Sequence, residues 1–268
     1  MYVHTQSRSH GLVAVSLLFC ALVQTAVSGQ ALAYDGGTVA NGASIVGTVT
    51  FSGEVPPPRR HQVKMGSNPE YCASRADAKG DVIFPEVRIT PAHELSDVVV
   101  FLQEVDKGKA IPADGPSITL DRCQIQPRVV TGLLGQQLRI VSQDSILHQI
   151  RGWEAMGGKN RLPMFTAQGL SSPGSEQRVP LQIKRSSIVQ LTCDQHRFME
   201  SWALVTGNPY AVVTDEQGRF QLTDIPPGTH TLGAWHPVLG YQEAKFTLSP
   251  GQTTTVTLTM TPAPPAAK

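Results

Sequence analysis

Four side chains in the second half of the chain could hold a metal ion between them. Cys193, His196 and Met199 follow one another at three-residue intervals, and His148 precedes the cysteine by 45 residues. Together they offer one thiolate, two imidazoles and one thioether. A thiolate and two imidazoles in a plane, with a weak axial thioether, are the ligands of a mononuclear blue-copper centre. The spacing therefore predicts a protein that carries single electrons on one type 1 copper ion.

Each of these residues also has an ordinary structural explanation. A single buried cysteine or methionine usually serves packing. On that interpretation Cys193 is structural or disulfide-bonded, His196 lies at the surface and Met199 fills the core. The joint pattern favours copper, because the three residues come directly after a predicted strand and downstream of a fitting histidine. Zinc or an empty site is the alternative.

The number of cysteines bears on the same site. Cys20 lies in an N-terminal apolar run, so three cysteines remain in the rest of the chain. An exported protein meets oxidising conditions, and an odd number of cysteines then needs an explanation. We expect Cys72 to pair with Cys123, which leaves Cys193 as the free thiolate. The alternative pairs Cys123 with Cys193, and the sequence leaves the connectivity open.

The N-terminal residues 1–33 have the pattern of a signal peptide. A polar start with Arg8 precedes an apolar run over residues 12–27, and Ala-Leu-Ala at residues 31–33 gives a small-x-small cleavage site. The mature chain would begin near Tyr34 and be periplasmic or extracellular. An uncleaved membrane anchor is the alternative, and no later run could span a membrane.

Charge and motifs exclude several functions. Removal of residues 1–33 takes away Arg8 and no acid, so the balance changes from 22 basic against 21 acidic residues to 21 against 21. Phosphate binding needs a clustered excess of lysine and arginine, so nucleic acid is not an expected partner. The sequence contains no Gly-x-Ser-x-Gly, phosphate loop or His-Glu-x-x-His. We expect no enzyme, and a redox protein as the partner.

The pattern beyond the signal is all-β. Apolar and polar residues alternate through Ile45–Phe51, and residues 98–102 are continuously apolar, which predicts two strands. A β-bulge near Asp121 would bring the apolar residues on either side of it to one face. Residues 59–96 are expected to be irregular because they are polar, and residues 152–174 to form a loose loop because of their glycines.

Strands are also expected on both sides of the predicted metal site. Residues 138–140 begin a strand that leads to His148. Val189, Leu191 and Cys193 share one face of another strand, so the sulfur at its end should face the core. A shielded metal ligand requires that position.

The remaining residues form a separate set of predicted strands. Gly207-Asn208-Pro209 marks a boundary, and residues 215–218 and 226–228 are hairpin turns. Alternating strands follow up to Met260. The tail from Pro262 is rich in proline and alanine and is expected to be disordered.

Residues 118–206 resemble a cupredoxin, the copper-binding fold of plastocyanin and amicyanin. Residues 125–128, 135–138 and 144–148 follow the order strand, proline, glycine, polar strand and first histidine. The Cys-x2-His-x2-Met sequence at residues 193–199 is similar to the short ligand loop of amicyanin. The resemblance implies a Greek-key β-sandwich in which the second histidine, His196, lies near the surface and serves as the electron port. It implies four copper ligands: His148, Cys193, His196 and Met199.

The ligand loops depart from the family pattern at three positions. Gln195 and Arg197 stand where amicyanin-like loops carry prolines, and Gln149 replaces an asparagine that ties the two ligand loops together. These differences bear on redox tuning more than on copper binding. Arg197 would favour an acidic face on the partner.

Residues 208–262 resemble the second half of a carboxypeptidase-regulatory, prealbumin-like β-sandwich. Thr214–Phe220 and Ile225–Gly228 carry the resemblance, and Ile45–Val55 with Val98–Leu102 resembles its usual first half. Related bacterial exported proteins are plastocyanin-like or of the methylamine-utilisation type. The resemblance implies one sandwich into which the cupredoxin-like domain is inserted, with two tandem domains cut at residue 207 as the plainer alternative.

The domains expected from the two resemblances are a signal peptide (1–33), the first half of the prealbumin-like sandwich (44–106), the cupredoxin-like domain (107–207), the second half of the sandwich (208–262) and a disordered tail (263–268).

Two other functions stay open at this point. One is a non-catalytic binding or structural β-module of the cell envelope with a vestigial metal site. The other is a copper carrier, in which Met156 and Met164 would give a second, soft Cu(I) site.

Overall fold

The computed structural model describes residues 34–262. The predicted signal peptide and the predicted tail lie outside the described residues. Twenty strands and three short helical turns make up the secondary structure within that range, so the prediction of an all-β fold is confirmed. Within the same residues no helix has the length and apolarity to cross a membrane.

The strands are β1 (Asp35–Gly37), β2 (Ala43–Phe51), β3 (Arg59–Gln62), β4 (Asp81–Phe84), β5 (Val99–Leu102), β6 (Lys107–Lys109), β7 (Ser117–Asp121), β8 (Gln124–Gln126), β9 (Val129–Leu133), β10 (Gln137–Ser142), β11 (Ile150–Ala155), β12 (Arg161–Thr166), β13 (Glu176–Pro180), β14 (Ile188–Cys193), β15 (Glu200–Thr206), β16 (Ala211–Val213), β17 (Arg219–Ile225), β18 (Gly228–His236), β19 (Gly240–Leu248) and β20 (Thr253–Met260). The helical segments are α1 (Pro69–Cys72) and the 3-10 turns Val63–Met65 and Ala73–Arg75.

Two sheets share a first apolar core and form what we call the first sandwich. Their strand orders are β13-β10-β7-β8 and β12-β11-β14-β15-β9. Alternate residues of the strands point inward, and Leu120, Ile140 and Leu191 are among the fully buried ones. Strand β14 lies inside its sheet between β11 and β15, so the cysteine at its end is held on both sides.

Two further sheets share a second core and form the second sandwich. Their orders are β16-β5-β18-β19 and β17-β2-β20. Ile45, Val100 and Leu232 are buried in this core. Strands β2 and β5 precede the first sandwich in the chain, whereas their partners follow it, and β2 runs parallel to β20.

A small apolar cluster joins the two sandwiches. Val129 and Leu204 from the first sandwich pack with Val99 and Trp235 from the second. The rings of Trp202 and Trp235 meet edge to face, with centroids 6.2 Å apart. The two cores are therefore in contact through aromatic and branched side chains.

Residues 59–84 fold over the first sandwich, and we call them the cover. Strands β3 and β4 pair antiparallel, and Val63, Cys72 and Val82 are buried in the first core. The expectation that residues 59–96 are irregular is wrong for this part. The sequence Arg-Arg-His-Gln of β3 shows no apolar alternation, so periodicity could not reveal a strand there.

Two local expectations are also corrected. Strands β11 and β12 form a hairpin where a loose loop was expected. Gly152 lies within β11, where it pairs with Phe165 and Leu191, and the Phe165 ring occupies the space that a Cβ would take. In place of a bulge near Asp121 there is a tight turn, in which Arg122 and Cys123 adopt φ of 47° and 58° and reverse the chain between β7 and β8.

Candidate metal centre

Strand β14 and the turn after it position three of the four expected ligands. Cys193 is the last inward residue of β14, and its side chain is buried. The chain then folds back, because the Met199 N–H donates to the His196 carbonyl at 2.9 Å and the Cys193 N–H approaches the Met199 carbonyl at 3.4 Å. The turn therefore keeps Cys193, His196 and Met199 together.

His148 comes from the other ligand loop, after β10. Its N–H donates to the Leu170 carbonyl at 2.8 Å, and the Leu170 N–H donates back at 2.9 Å. The Asp194 N–H donates to the Gln149 carbonyl at 2.9 Å, which ties this loop to the Cys193 loop. The backbone of Gln149 thus links the ligand loops.

The donor atoms of three residues converge. The Nδ1 atoms of His148 and His196 lie 3.7 and 3.8 Å from the Cys193 Sγ. The two imidazole rings are 4.8 Å apart between centroids. Both histidines are fully buried, and Met199 is buried in the same cluster. The structure brings all four expected ligand residues together.

Burial controls the protonation of these donors. Desolvation lowers the pKa of His148, and it lowers the pKa of His196 to about 4, with the nearby His148 adding to the effect. Both imidazoles are therefore neutral near pH 7 and can offer a lone pair. Desolvation raises the pKa of the Cys193 thiol, although N–H groups of the neighbouring backbone oppose it. A cation is needed to hold this sulfur as a thiolate.

Asp144 is a buried carboxylate behind His148, four residues earlier in the chain. Its Oδ2 accepts from the His148 ring Nε2 at 2.8 Å and from the Cys123 N–H at 2.9 Å. Its Oδ1 accepts from the Arg122 N–H at 2.6 Å and from the Tyr71 hydroxyl at 3.1 Å. Burial acts to raise the pKa of Asp144, but these hydrogen bonds outweigh it and the pKa is lowered. The carboxylate is therefore ionised.

The expectation that His196 lies near the surface is wrong. Its side chain has no exposed area, because Phe198 and the cover shield it. The ring of Phe198 packs against His61 at 5.0 Å and Phe84 at 6.1 Å between centroids. Within the described residues, the His196 Nε2 has no hydrogen-bond partner. The cover, which the sequence did not reveal, accounts for this burial.

A disulfide joins Cys72 of the cover to Cys123 of the β7–β8 turn, and Cys193 is free. Both sulfur atoms of the disulfide lie within 4.8 Å of a ring nitrogen of His196. The disulfide therefore fastens the cover beside the candidate metal centre.

The donor set fits a thiophilic transition-metal ion. One thiol, two neutral imidazoles and one thioether are soft or borderline ligands, which select copper or zinc over calcium or magnesium. His148 presents its Nδ1 to the thiol because its Nε2 is held by a carboxylate, as metal-binding histidines commonly are. The residues present therefore suit a small, buried, mononuclear site.

Other residues singled out in the sequence lie elsewhere. Met156 is exposed, and Met164 packs at the edge of the first core. Trp153 donates from its Nε1 to the Thr192 hydroxyl at 3.0 Å and stacks under Arg161. Asp144 was not singled out in the sequence, and its position four residues before His148 is the one signal that could have pointed to it.

Comparison with known proteins gives one family match and several structural neighbours. Residues 203–261 match the carboxypeptidase regulatory-like domain. No curated protein sequence matches the chain.

The structural neighbours are copper proteins of the cupredoxin class, at low similarity. Amicyanin from Paracoccus versutus is 16% identical, with a TM-score of 0.29 over 36% of this chain and 85% of its own. A purple cupredoxin from Nitrosopumilus maritimus is 15% identical, with a TM-score of 0.29 over 34% of this chain and 99% of its own. The copper-containing nitrite reductase of Thermus scotoductus is 16% identical, with a TM-score of 0.29, and is covered over only 24% of its length.

Proposed function

We propose that this protein is an exported electron-transfer protein that binds one type 1 copper ion. The observation that carries the proposal is the convergence of two neutral histidine Nδ1 atoms on a free, buried thiol, at 3.7 and 3.8 Å. Met199 in the same cluster would offer a soft thioether to such an ion. A copper ion bound there would supply reversible one-electron chemistry.

The chain's own residues perform three tasks in this proposal. Cys193, at the end of β14, would hold the ion through its thiolate. His148 and His196 offer neutral imidazoles, so that no proton has to leave them before a metal binds. The cover excludes water from the ligands and restricts their movement, since each donor is already buried and packed.

Export and partner belong to the same proposal. A disulfide persists in an oxidising compartment, and the buried Cys72–Cys123 bond supports such a location. The balanced charge of the mature chain gives no reason to expect nucleic acid, and a second redox protein is the partner that electron transfer requires. No catalytic activity is proposed.

The pairing of strands supports a nested division of the chain. Residues 44–106 and 208–262 would form one domain, because β2 pairs with β17 and β20 while β5 pairs with β16 and β18. Residues 107–207 would then be an inserted metal-binding domain.

The test is the visible spectrum of the purified protein, stripped of metal and then titrated with Cu(II). We expect an intense blue thiolate-to-copper band. Cys193→Ala should lose it, because the thiolate is the source of the transition. Val189→Ala, which truncates a buried residue of the same strand away from the donors, is the matched control and should keep it. A folded protein that shows no band with Cu(II) would sink the electron-transfer proposal and leave the non-catalytic module as the best account.

A further inference from the structure

Asp144 is the point where the metal site, the cover and the β7–β8 turn meet. Its two oxygens receive four hydrogen bonds, one from the His148 ring, one from the Tyr71 hydroxyl and two from backbone N–H groups of the turn. Its side chain is almost fully buried. A buried carboxylate is costly unless it is fully bonded, and the four hydrogen bonds of Asp144 meet that condition.

The carboxylate fixes the tautomer of His148. An ionised carboxylate only accepts hydrogen bonds, so the His148 Nε2 must carry the proton. The His148 Nδ1 then carries the lone pair, and this atom faces the Cys193 Sγ at 3.7 Å. His196 differs, because its Nε2 meets no carboxylate in the described residues. Only His148 of the two histidines is therefore held by a carboxylate.

We propose that Asp144 is the positioning residue of the metal centre, and that it couples His148 to the cover through Tyr71. This inference rests on the proposed function and deepens it. Tyr71 lies in α1, directly before the disulfide-bonded Cys72, and its ring is partly exposed. The path from surface to metal ligand is hydroxyl to carboxylate to imidazole, with contacts of 3.1 and 2.8 Å.

The coupling should change the reduction potential in a direction that a loss of packing alone would not produce. A carboxylate makes the bound imidazole a stronger donor, which favours Cu(II) over Cu(I). Removal of its charge should therefore raise the reduction potential. Removal of the Tyr71 hydroxyl leaves the carboxylate with one fewer hydrogen bond and more charge to share with His148. That change should lower the potential.

The first experiment compares Asp144→Asn with Glu154→Gln. Glu154 is the matched control, since it is also a buried carboxylate, in β11, and accepts N–H groups of Lys184, Arg185 and Ser186 at 2.7–3.1 Å without contacting the donors. Asp144→Asn should weaken Cu(II) binding by about 10- to 100-fold and raise the potential. Glu154→Gln should change neither. Equal affinities and potentials for the two folded variants would overturn the proposal.

The second experiment uses a milder change, which keeps the proposal testable if Asp144→Asn does not fold. Tyr71→Phe removes one hydroxyl and leaves the ring. Tyr241→Phe is the matched control, because Tyr241 is an exposed tyrosine whose hydroxyl donates to Glu243 at 2.9 Å in the second sandwich. We expect a lower potential for Tyr71→Phe alone. A potential that is unchanged or raised would contradict the coupling.

A third measurement needs no copper and separates the two proposals. Nitrogen-15 NMR of the metal-free protein should show His148 as the Nε2–H tautomer. Asp144→Asn should shift it towards Nδ1–H, because the Asn amide can donate to Nε2. A wild-type Nδ1–H tautomer would overturn the positioning role even if the blue band is present. A correct tautomer without any blue band would end the electron-transfer proposal and leave the positioning role intact.

Discussion

The two sandwiches bury polar side chains in different ways. In the second sandwich, the buried hydroxyls of Tyr210 and Thr214 bond to the backbone, whereas the His236 Nε2 and the Thr254 Oγ1 lie apart without a hydrogen-bond partner in the described residues. The Tyr210 hydroxyl donates to the Asp224 carbonyl at 2.6 Å, and the Thr214 hydroxyl donates to the Leu95 carbonyl at 3.0 Å. In the first sandwich, two imidazoles and a thiol converge on one another, and the Nδ1 atoms of the histidines face the sulfur.

The difference shows where buried donor atoms lie close enough together to share one ion. A buried polar group that lacks a partner costs about 1–3 kcal/mol. In the second sandwich, the hydrogen bonds of Tyr210 and Thr214 offset that cost. In the first sandwich, an ion would satisfy the donors together, so metal binding should stabilise this sandwich and leave the other unchanged. Three changes test this difference between the two sandwiches.

The largest effect is expected from removal of the disulfide. The Cys72→Ser, Cys123→Ser double variant should lose about 4 kcal/mol of unfolding free energy, because the bond closes a loop with a sequence separation of 51. Amide hydrogen exchange should show the loss in the cover and the first sandwich. Reduction of the wild-type protein with a dithiol is the control and should reproduce the pattern. Equal loosening of the second sandwich would contradict the comparison.

Copper itself should have the next largest effect. At a free metal concentration 100-fold above its dissociation constant, the protein should gain about 2.7 kcal/mol of stability. The gain should appear as slower amide exchange in β10, β14 and the ligand loops. Cys193→Ser should abolish it, while Val189→Ala should keep it from a lower starting stability. Protection that is spread equally over both sandwiches would show that the second one is not independent of the site.

The smallest effect is expected at low pH, where His236 in the second sandwich should reduce the free energy of unfolding. Burial lowers the pKa of His236 to about 3, and its Nδ1 accepts N–H groups of Val238 and Leu239. The unfolded chain binds this proton near pH 6.5, so stability is lost as the pH falls from about 6.5 towards 3. The loss from this group should reach about 2 kcal/mol at pH 5.

His236→Gln should remove that part of the acid sensitivity, because the amide oxygen can accept the same N–H groups without binding a proton. Denaturant unfolding at pH 7 and pH 5 measures this difference in the free energy of unfolding. His93→Gln is the control, since His93 is exposed. An unchanged pH dependence in His236→Gln would show that His236 is not the titrating group.

The sequence could single out the candidate ligand residues, which the structure brings together, because their chemistry is local. Cys193, His196 and Met199 lie within seven residues, and the apolar alternation of β14 places the sulfur inward. His148 was found through its position after a predicted strand. The spacing of residues, and the face of a strand on which each one lies, are properties of a short segment. The candidate site could therefore be predicted without knowledge of the fold.

What the sequence did not predict depends on contacts between distant segments. The burial of His196 follows from the cover, whose strand β3 has only polar residues and no alternation. The hydrogen bonds of Asp144 depend on Tyr71 and the Cys123 turn, which lie 73 and 21 residues away in the chain. The strand character of Gly152 comes with its pairing to Phe165 and Leu191 on the neighbouring strands. No periodicity within one segment carries this information.

The pairing of β2 with β20 has a consequence for the order of events during folding. Thr50 and Thr259 are hydrogen-bonding partners across 209 positions of the chain, so the first long strand of the described residues is among the last to find its neighbour. The intervening β7–β15 segment can fold earlier, since its contacts are nearer in sequence. Until then β2 and β5 are exposed apolar strands without partners. Exposed strands of this kind favour aggregation. The sandwich that begins first along the chain is thus the one that is finished last.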